Sequence, residues 1–218
     1  MNIADFVKIS YSNESRRLSM STTDYNAFII VDHGEVDGGD QSFDMLIDYK
    51  KFANIVRCST TDDVDISDKG EYVRVKTNGT YKFEKWASVE DFPSADFTSD
   101  DLTEFDAAKL ASAWSKTVIA VSKDIGKLAF QGVNYDGSFA ATDNRRLSCF
   151  HIVGDQRPPV LLPPTMGSII NNCMGTVSVG VSTNGKALVI MSPENNMLAS
   201  VRILDAAFPD YRKFTDDA

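Results

Sequence analysis

Leu18-Ser-Met-Ser-Thr-Thr-Asp24 and Ser138-Phe-Ala-Ala-Thr-Asp143 are two renderings of one pattern, and a Phe-Pro pair follows each, Phe92-Pro93 and Phe208-Pro209. Asp143 lies 119 positions beyond Asp24, and Pro209 lies 116 beyond Pro93. A period this long exceeds the units of a solenoid, about 20–50 residues. The repeated object is therefore a whole small domain with its own core. A chain of 218 residues holds two of these, at about 100 residues each. They are expected over 1–100 and 104–218, with the boundary in the acidic stretch near Ser99–Glu104.

Most segments alternate apolar and polar residues with period two, as in Phe6-Val-Lys-Ile-Ser-Tyr11, Tyr72-Val-Arg-Val-Lys76 and Val177-Ser-Val-Gly-Val181. That is the pattern of a half-buried antiparallel strand. Asn78-Gly79, Asp136-Gly137 and Asn184-Gly185 separate the runs, and such pairs favour tight hairpins because their backbones accept positive φ. Three segments break the period: 48–59, 106–122 and 163–174 carry apolar residues three and four apart, with Asp106 placed as an N-cap. They read as amphipathic helices. The second copy then has a helix ahead of Thr142-Asp143. In the first copy the 22 residues before Thr23 already read as two strands, so its leading strand and helix are missing, either trimmed by nature or cut from a longer chain. The fold class expected is α+β, duplicated domains of antiparallel sheet with helices on one face.

Composition narrows the function. With 43% hydrophobic and 24% charged residues and no long apolar run, the chain reads as a globular protein without a membrane partner. The N-terminus lacks the form of a signal peptide, and three cysteines (Cys58, Cys149, Cys173) leave one unpaired in any disulfide scheme, which fits a reducing cytoplasm. A net charge of −9 speaks against a surface that grips nucleic acid all over, because that affinity comes from Lys and Arg neutralising phosphates. The charge is segregated: acids gather in Glu35–Asp40, Asp62–Asp68, Glu90–Glu104 and Asp216-Asp217, while Lys50, Lys51, Arg57, Lys109, Lys116, Lys123 and Lys127 fall on or beside expected helices.

Catalytic chemistry finds little support. The two histidines, His33 and His151, stand apart, and no nucleophile-elbow, phosphate-loop or zinc-protease motif occurs. Asp63-x-Asp65-x-Ser67 begins like a calcium loop, but Asp68 stands where the turn needs Gly and no Glu occupies the twelfth position; it reads as a solvated acidic hairpin. The cysteines lack zinc-site spacing, and no cofactor is called for. Trp86 and Trp114 read as core residues.

Two patches resist a structural reading: Ala140-Ala-Thr-Asp-Asn-Arg-Arg-Leu-Ser148 and Phe208-Pro-Asp-Tyr-Arg-Lys-Phe214. Together they resemble the bacterial replicative sliding clamp, the beta subunit of DNA polymerase III. In that family a Thr-Asp-Gly-His-Arg-Leu segment and a Phe-Pro-Asp-Tyr-Arg segment line a pocket that captures short client peptides. Tyr49-Lys-Lys-Phe-Ala-Asn-Ile-Val56 and Ala87-Ser-Val-Glu-Asp-Phe-Pro-Ser94 are similar to a helix and a Leu-Pro-Ala-Ala-Asp-Phe-Pro pattern of its first domain.

The resemblance implies a client pocket of Thr142, Arg145, Arg146, Leu147, Pro209 and Phe214, and a DNA-facing set of Lys50, Lys51, Arg57, Lys116 and Lys123. Asn144-Arg145 replaces the family's Gly-His and adds a cation. The implied partners are duplex DNA held without regard to sequence, DNA polymerase and other clamp-binding proteins, and a clamp loader. The bacterial clamp carries three domains per chain and dimerises, whereas two-domain clamps close a ring of six domains from three chains. The implied function is a non-enzymatic processivity factor. Two alternatives remain: an interaction module of phage or mobile-element origin that keeps the pocket without encircling DNA, and a small-molecule or hydrolytic protein on a duplicated α+β scaffold.

Overall fold

The computed structural model describes residues 2–86, 89–152 and 157–215; Ala87 and Ser88 of the Ala87–Ser94 segment, and Asp216-Asp217, lie outside the described residues. The chain divides into two compact units, Met1–Ala95 and Asp96–Ala218.

In the first unit, alternation builds β1 (Phe6–Ser12), β2 (Arg17–Thr23), β3 (Ala27–Glu35) and β4 (Phe43–Asp48). Helix α1 (Tyr49–Arg57) follows, then β5 (Asp65–Asp68), β6 (Tyr72–Lys76) and β7 (Thr80–Glu84). All pairings are antiparallel; one sheet runs β4-β1-β2-β3 and the other β5-β6-β7. Helix α1 starts where the Asp48 carboxylate accepts the Lys51 N–H at 2.7 Å, which satisfies one of the four donors a helix start leaves open. Val7 and Ile9 of β1, Met45 and Ile47 of β4, Val73 and Val75 of β6, Phe83 of β7 and Phe52 of α1 form the core.

The second unit runs β8 (Thr103–Asp106), α2 (Ala107–Val118), β9 (Val133–Tyr135), β10 (Ser138–Thr142), β11 (Leu147–His151) and β12 (Val160–Leu162). It continues with α3 (Met166–Ile170), β13 (Thr176–Val181), β14 (Ala187–Ser192) and β15 (Met197–Arg202). Its sheets are β11-β10-β9-β12 and β15-β14-β13-β8. Asp106 caps α2 by accepting the Lys109 N–H at 2.8 Å, and α2 packs on β10, β11 and α3. Strand for strand, β3-β2-β1-β4 matches β11-β10-β9-β12, and β7-β6-β5 matches β15-β14-β13. Among the described residues, β8 and α2 have no counterpart in the first unit.

Several expectations need correction. Helix α3 covers only Met166–Ile170 of the expected 163–174; Pro164 disfavours the α region for Pro163 before it, and tight i→i−3 bonds close both ends, Met166 to Pro163 and Cys173 to Ile170. Helix α2 ends at Val118, short of 122, with single turns beyond it. The segment around Ser99 is no linker. Asp96 accepts from Asn184 at 2.8 Å and Ser99 donates to Val181 at 2.7 Å, so the unit boundary falls at Ala95/Asp96. Trp114 is buried, edge-on to Phe139, but Trp86, just past the end of β7, stacks on Phe6 and is still 39% exposed. Asp65 to Ser67 lie extended in β5, so the backbone does not wrap there as a cation-binding loop would.

A Cβ at Gly167 on α3 would come within 2.6 Å of the buried Trp114 Nε1 on α2, so glycine sets how closely the two helices approach. Helix propensity alone makes Gly→Ala stabilising by about 0.5–1 kcal/mol. The expected outcome for Gly167→Ala is the reverse, a loss of about 1–3 kcal/mol from overpacking, measured by urea denaturation.

Candidate functional site

The Thr-Asp repeat is a piece of hydrogen-bond geometry. After β10, Thr142 Oγ1 donates to the Arg146 carbonyl at 2.8 Å and accepts the Asn144 N–H at 3.0 Å. Asp143 Oδ1 accepts the N–H groups of Arg145 and Arg146, each at 3.0 Å, and Asp143 Oδ2 takes the Arg146 Nε at 3.0 Å. These donors, the Arg145 N–H foremost, hold the Asp143 carboxyl below the ordinary carboxylate range. In the first unit Thr23 Oγ1 donates to the Ala27 carbonyl at 2.7 Å and accepts the Tyr25 N–H at 3.0 Å. Asp24 Oδ1 accepts the Asn26 and Ala27 N–H groups at 2.9 and 2.7 Å. Both loops turn through a left-handed residue, Tyr25 at φ 69° and Asn144 at φ 73°. Asn tolerates that region; for a bulky residue such as Tyr it is an outlier.

What the two loops display differs. The second presents Arg145 and Arg146, both exposed, above a half-buried Leu147. Arg146 is tied to Asp143, whereas Arg145 forms no ion pair among the described residues. The first loop presents Tyr25, 64% exposed.

The Phe-Pro-Asp-Tyr-Arg segment is anchored from within. Tyr211, 6% exposed, donates its hydroxyl to Asp136 Oδ1 at 3.0 Å, and Arg212 Nη2 meets Asp136 Oδ2 at 2.9 Å. Asp136 sits in the β9–β10 turn and is itself 6% exposed. A carboxylate so far from water requires such partners. Burial, then the hydrogen bond to Asp136, push the Tyr211 hydroxyl up to about 12. Tyr211 and Arg212 thus serve the fold, and Phe208 packs edge-on against Tyr211.

The expected pocket residues separate into groups. Thr142, Arg145, Arg146 and Leu147 share one hairpin loop. Pro209 instead lines a cleft of about 310 Å³ with Asn134, Arg157, Phe208 and Arg212, whose walls do not include that loop. Phe214, 75% exposed, stands on a single 3-10 turn. The expected DNA-facing cations are exposed, but several are engaged. Lys50 lies 3.7 Å from Asp5. Lys51 donates to the Lys82 carbonyl at 3.0 Å and sits over the Phe83 ring. Lys116 sits over the Phe150 ring. Arg57 and Lys123 form no ion pair among the described residues. Sequence reading missed Asp136, whose Asp-Gly context signals only a turn while its partners lie 75 and 76 positions away.

No family model matches the sequence, and no curated protein matches it. The structure is similar to the DNA polymerase III beta subunit of Pseudomonas aeruginosa, with a TM-score of 0.82 at 16% identity over 97% of this chain and 60% of that one. It is similar to the beta subunit of Thermotoga maritima, at 0.82 and 16% over 97% and 59%, and to the sliding clamp of Bacillus subtilis, at 0.81 and 18% over 97% and 60%. The chain has the sliding-clamp fold and spans about 60% of the length of these structures.

Tyr211→Phe removes a donor from a buried carboxylate and is expected to cost about 1–3 kcal/mol near neutral pH. Because the folded-state value lies above the ordinary value of 10.0, the stabilisation is full below that value and fades as pH rises towards the folded value. Urea unfolding of both proteins across this range checks it: the gap between them narrows with rising pH.

Proposed function

We propose that the chain is a DNA sliding clamp of the processivity-factor type, a non-enzymatic protein that keeps DNA polymerase and other replication proteins on duplex DNA. The observation that carries the reading is the Thr142–Leu147 loop: a family-like peptide-capture sequence, held rigid by Asp143, on a chain whose fold is that of bacterial clamps along nearly its whole length. In this reading both units, Met1–Ala95 and Asp96–Ala218, are clamp-type domains, and β8 and α2 of the second have no counterpart among the described residues of the first. Client peptides dock at Thr142, Arg145, Arg146, Leu147, Pro209 and Phe214, where a few apolar anchors supply most of the affinity.

Lys50, Lys51, Arg57, Lys116 and Lys123 face the DNA and meet phosphates, which carry no base information and so permit sliding. Residence comes from topology: the chains close into a ring, opened by a loader, and the acidic remainder of the surface is repelled by DNA. A protein of this kind works in the cytoplasm.

The internal engagement of Lys50 and Lys51 favours a second reading, a client-binding module that does not encircle DNA.

The Arg146→Ala/Leu147→Ala double variant is expected to weaken a fluorescein-labelled clamp-binding peptide at least tenfold by anisotropy, while its thermal unfolding stays within a few degrees of wild type. Unchanged peptide affinity removes the pocket from the proposal.

A further inference from the structure

The two units share one strand plan except at one place. In the second unit β13 is flanked by β14 on one side and by β8 on the other. In the first unit β5 pairs with β6 alone, and among the described residues its other edge has no strand. A row of backbone N–H and C=O groups left unpaired on an edge is a template for another strand, and the second unit shows what fills the matching position: an extended segment in antiparallel register.

The open edge borders a built cleft. A cavity of about 760 Å³ runs along Asp63 to Ser67, with half-buried Leu18, Phe43 and Ile66 among its walls. Its far wall is the glycine loop after β3, fixed where Tyr11 donates its hydroxyl to the Gly39 carbonyl at 3.1 Å. The loop lies so close that a Cβ at Gly38 would run into the Tyr11 ring. Two acidic stretches that are far apart in sequence meet here. Asp37 comes from the loop and Asp63 and Asp65 from the β5 side; the cations beside them are Arg16, 3.5 Å from Asp37, and Arg74, 3.8 Å from Asp65. Asp63 forms no ion pair among the described residues.

We infer that the β5 edge is a strand-addition site that takes an extended segment of a partner protein with alternating basic and apolar residues. The partner's backbone pairs with β5, its apolar side chains enter the cleft between Leu18, Phe43 and Ile66, and its basic side chains meet Asp37, Asp63 and Asp65. Main-chain bonds supply affinity in this mode and alternate side chains supply specificity. The site lies wholly within the first unit and does not depend on the client loop of the second.

The test uses the full chain and three fluorescein-labelled octapeptides: alternating Val-Lys, alternating Val-Glu, and Val-Lys with every second backbone N methylated. Saturable anisotropy is expected for Val-Lys, with at least tenfold weaker binding for the other two. The Asp63→Lys/Asp65→Lys variant is expected to weaken Val-Lys at least tenfold. Asp100→Lys/Asp205→Lys, an equal change in net charge on exposed residues of the second unit, changes it less than twofold. Bound Val-Lys peptide also slows amide hydrogen exchange across 65–68. Equal loss in both charge variants, equal binding of the methylated peptide, or unchanged exchange in β5 overturns the proposal. So does self-association of the chain that Asp63→Lys/Asp65→Lys abolishes, because a second copy then occupies the edge.

Discussion

A single carboxylate with two backbone N–H groups in its grasp shapes each half of this protein. Asp143 closes the β10–β11 hairpin by satisfying the N–H groups of Arg145 and Arg146, as Asp24 does for Asn26 and Ala27 between β2 and β3. The threonine before it takes the donor at i+2 and the carbonyl at i+4 in both units. Four local bonds determine where each hairpin turns, and so where each strand register begins; a one-residue slip would send every core side chain to the solvent face. These bonds hold the loop without any partner, and in the proposed client docking that limits the entropy lost when a peptide binds.

The two units share this geometry and differ in what it displays. The loop of the second unit carries arginines and a leucine, whereas that of the first carries a solvent-exposed tyrosine in a backbone region that tyrosine rarely adopts. Strain of that kind persists only where surrounding bonds enforce it, and the Thr23–Asp24 bonds do so.

Much of this was legible in the sequence because it is local. Thr23-Asp24 and Thr142-Asp143 announce themselves as a repeat, Asp106 marks a helix start by its chemistry, and Tyr72–Lys76 alternates cleanly. What could not be read depends on distant partners. Asp136 is a turn residue until Tyr211 and Arg212 reach it. The Asp96 segment resembles an acidic linker until Asn184, and Ser200 donating to its carbonyl, claim it for the second unit. Helix α3 reads as three turns, yet its prolines and close end bonds leave five residues of helix. The proposed client site is legible as a motif and only partly as a place: the hairpin holds Thr142 to Leu147 together, while Pro209 faces the cleft beside Arg212.

Electrostatics constrains the proposed ring most tightly. With a net charge of −9 the protein cannot remain on DNA by attraction over its whole surface, and some helix cations are already engaged with protein groups. In the proposed clamp, retention comes from closure, and closure from assembly of several copies of the chain. Light scattering of the full chain over a wide concentration range tests this most directly. The account predicts a stable species of three times the chain mass, giving a ring of six units. A monomer at every concentration would contradict it.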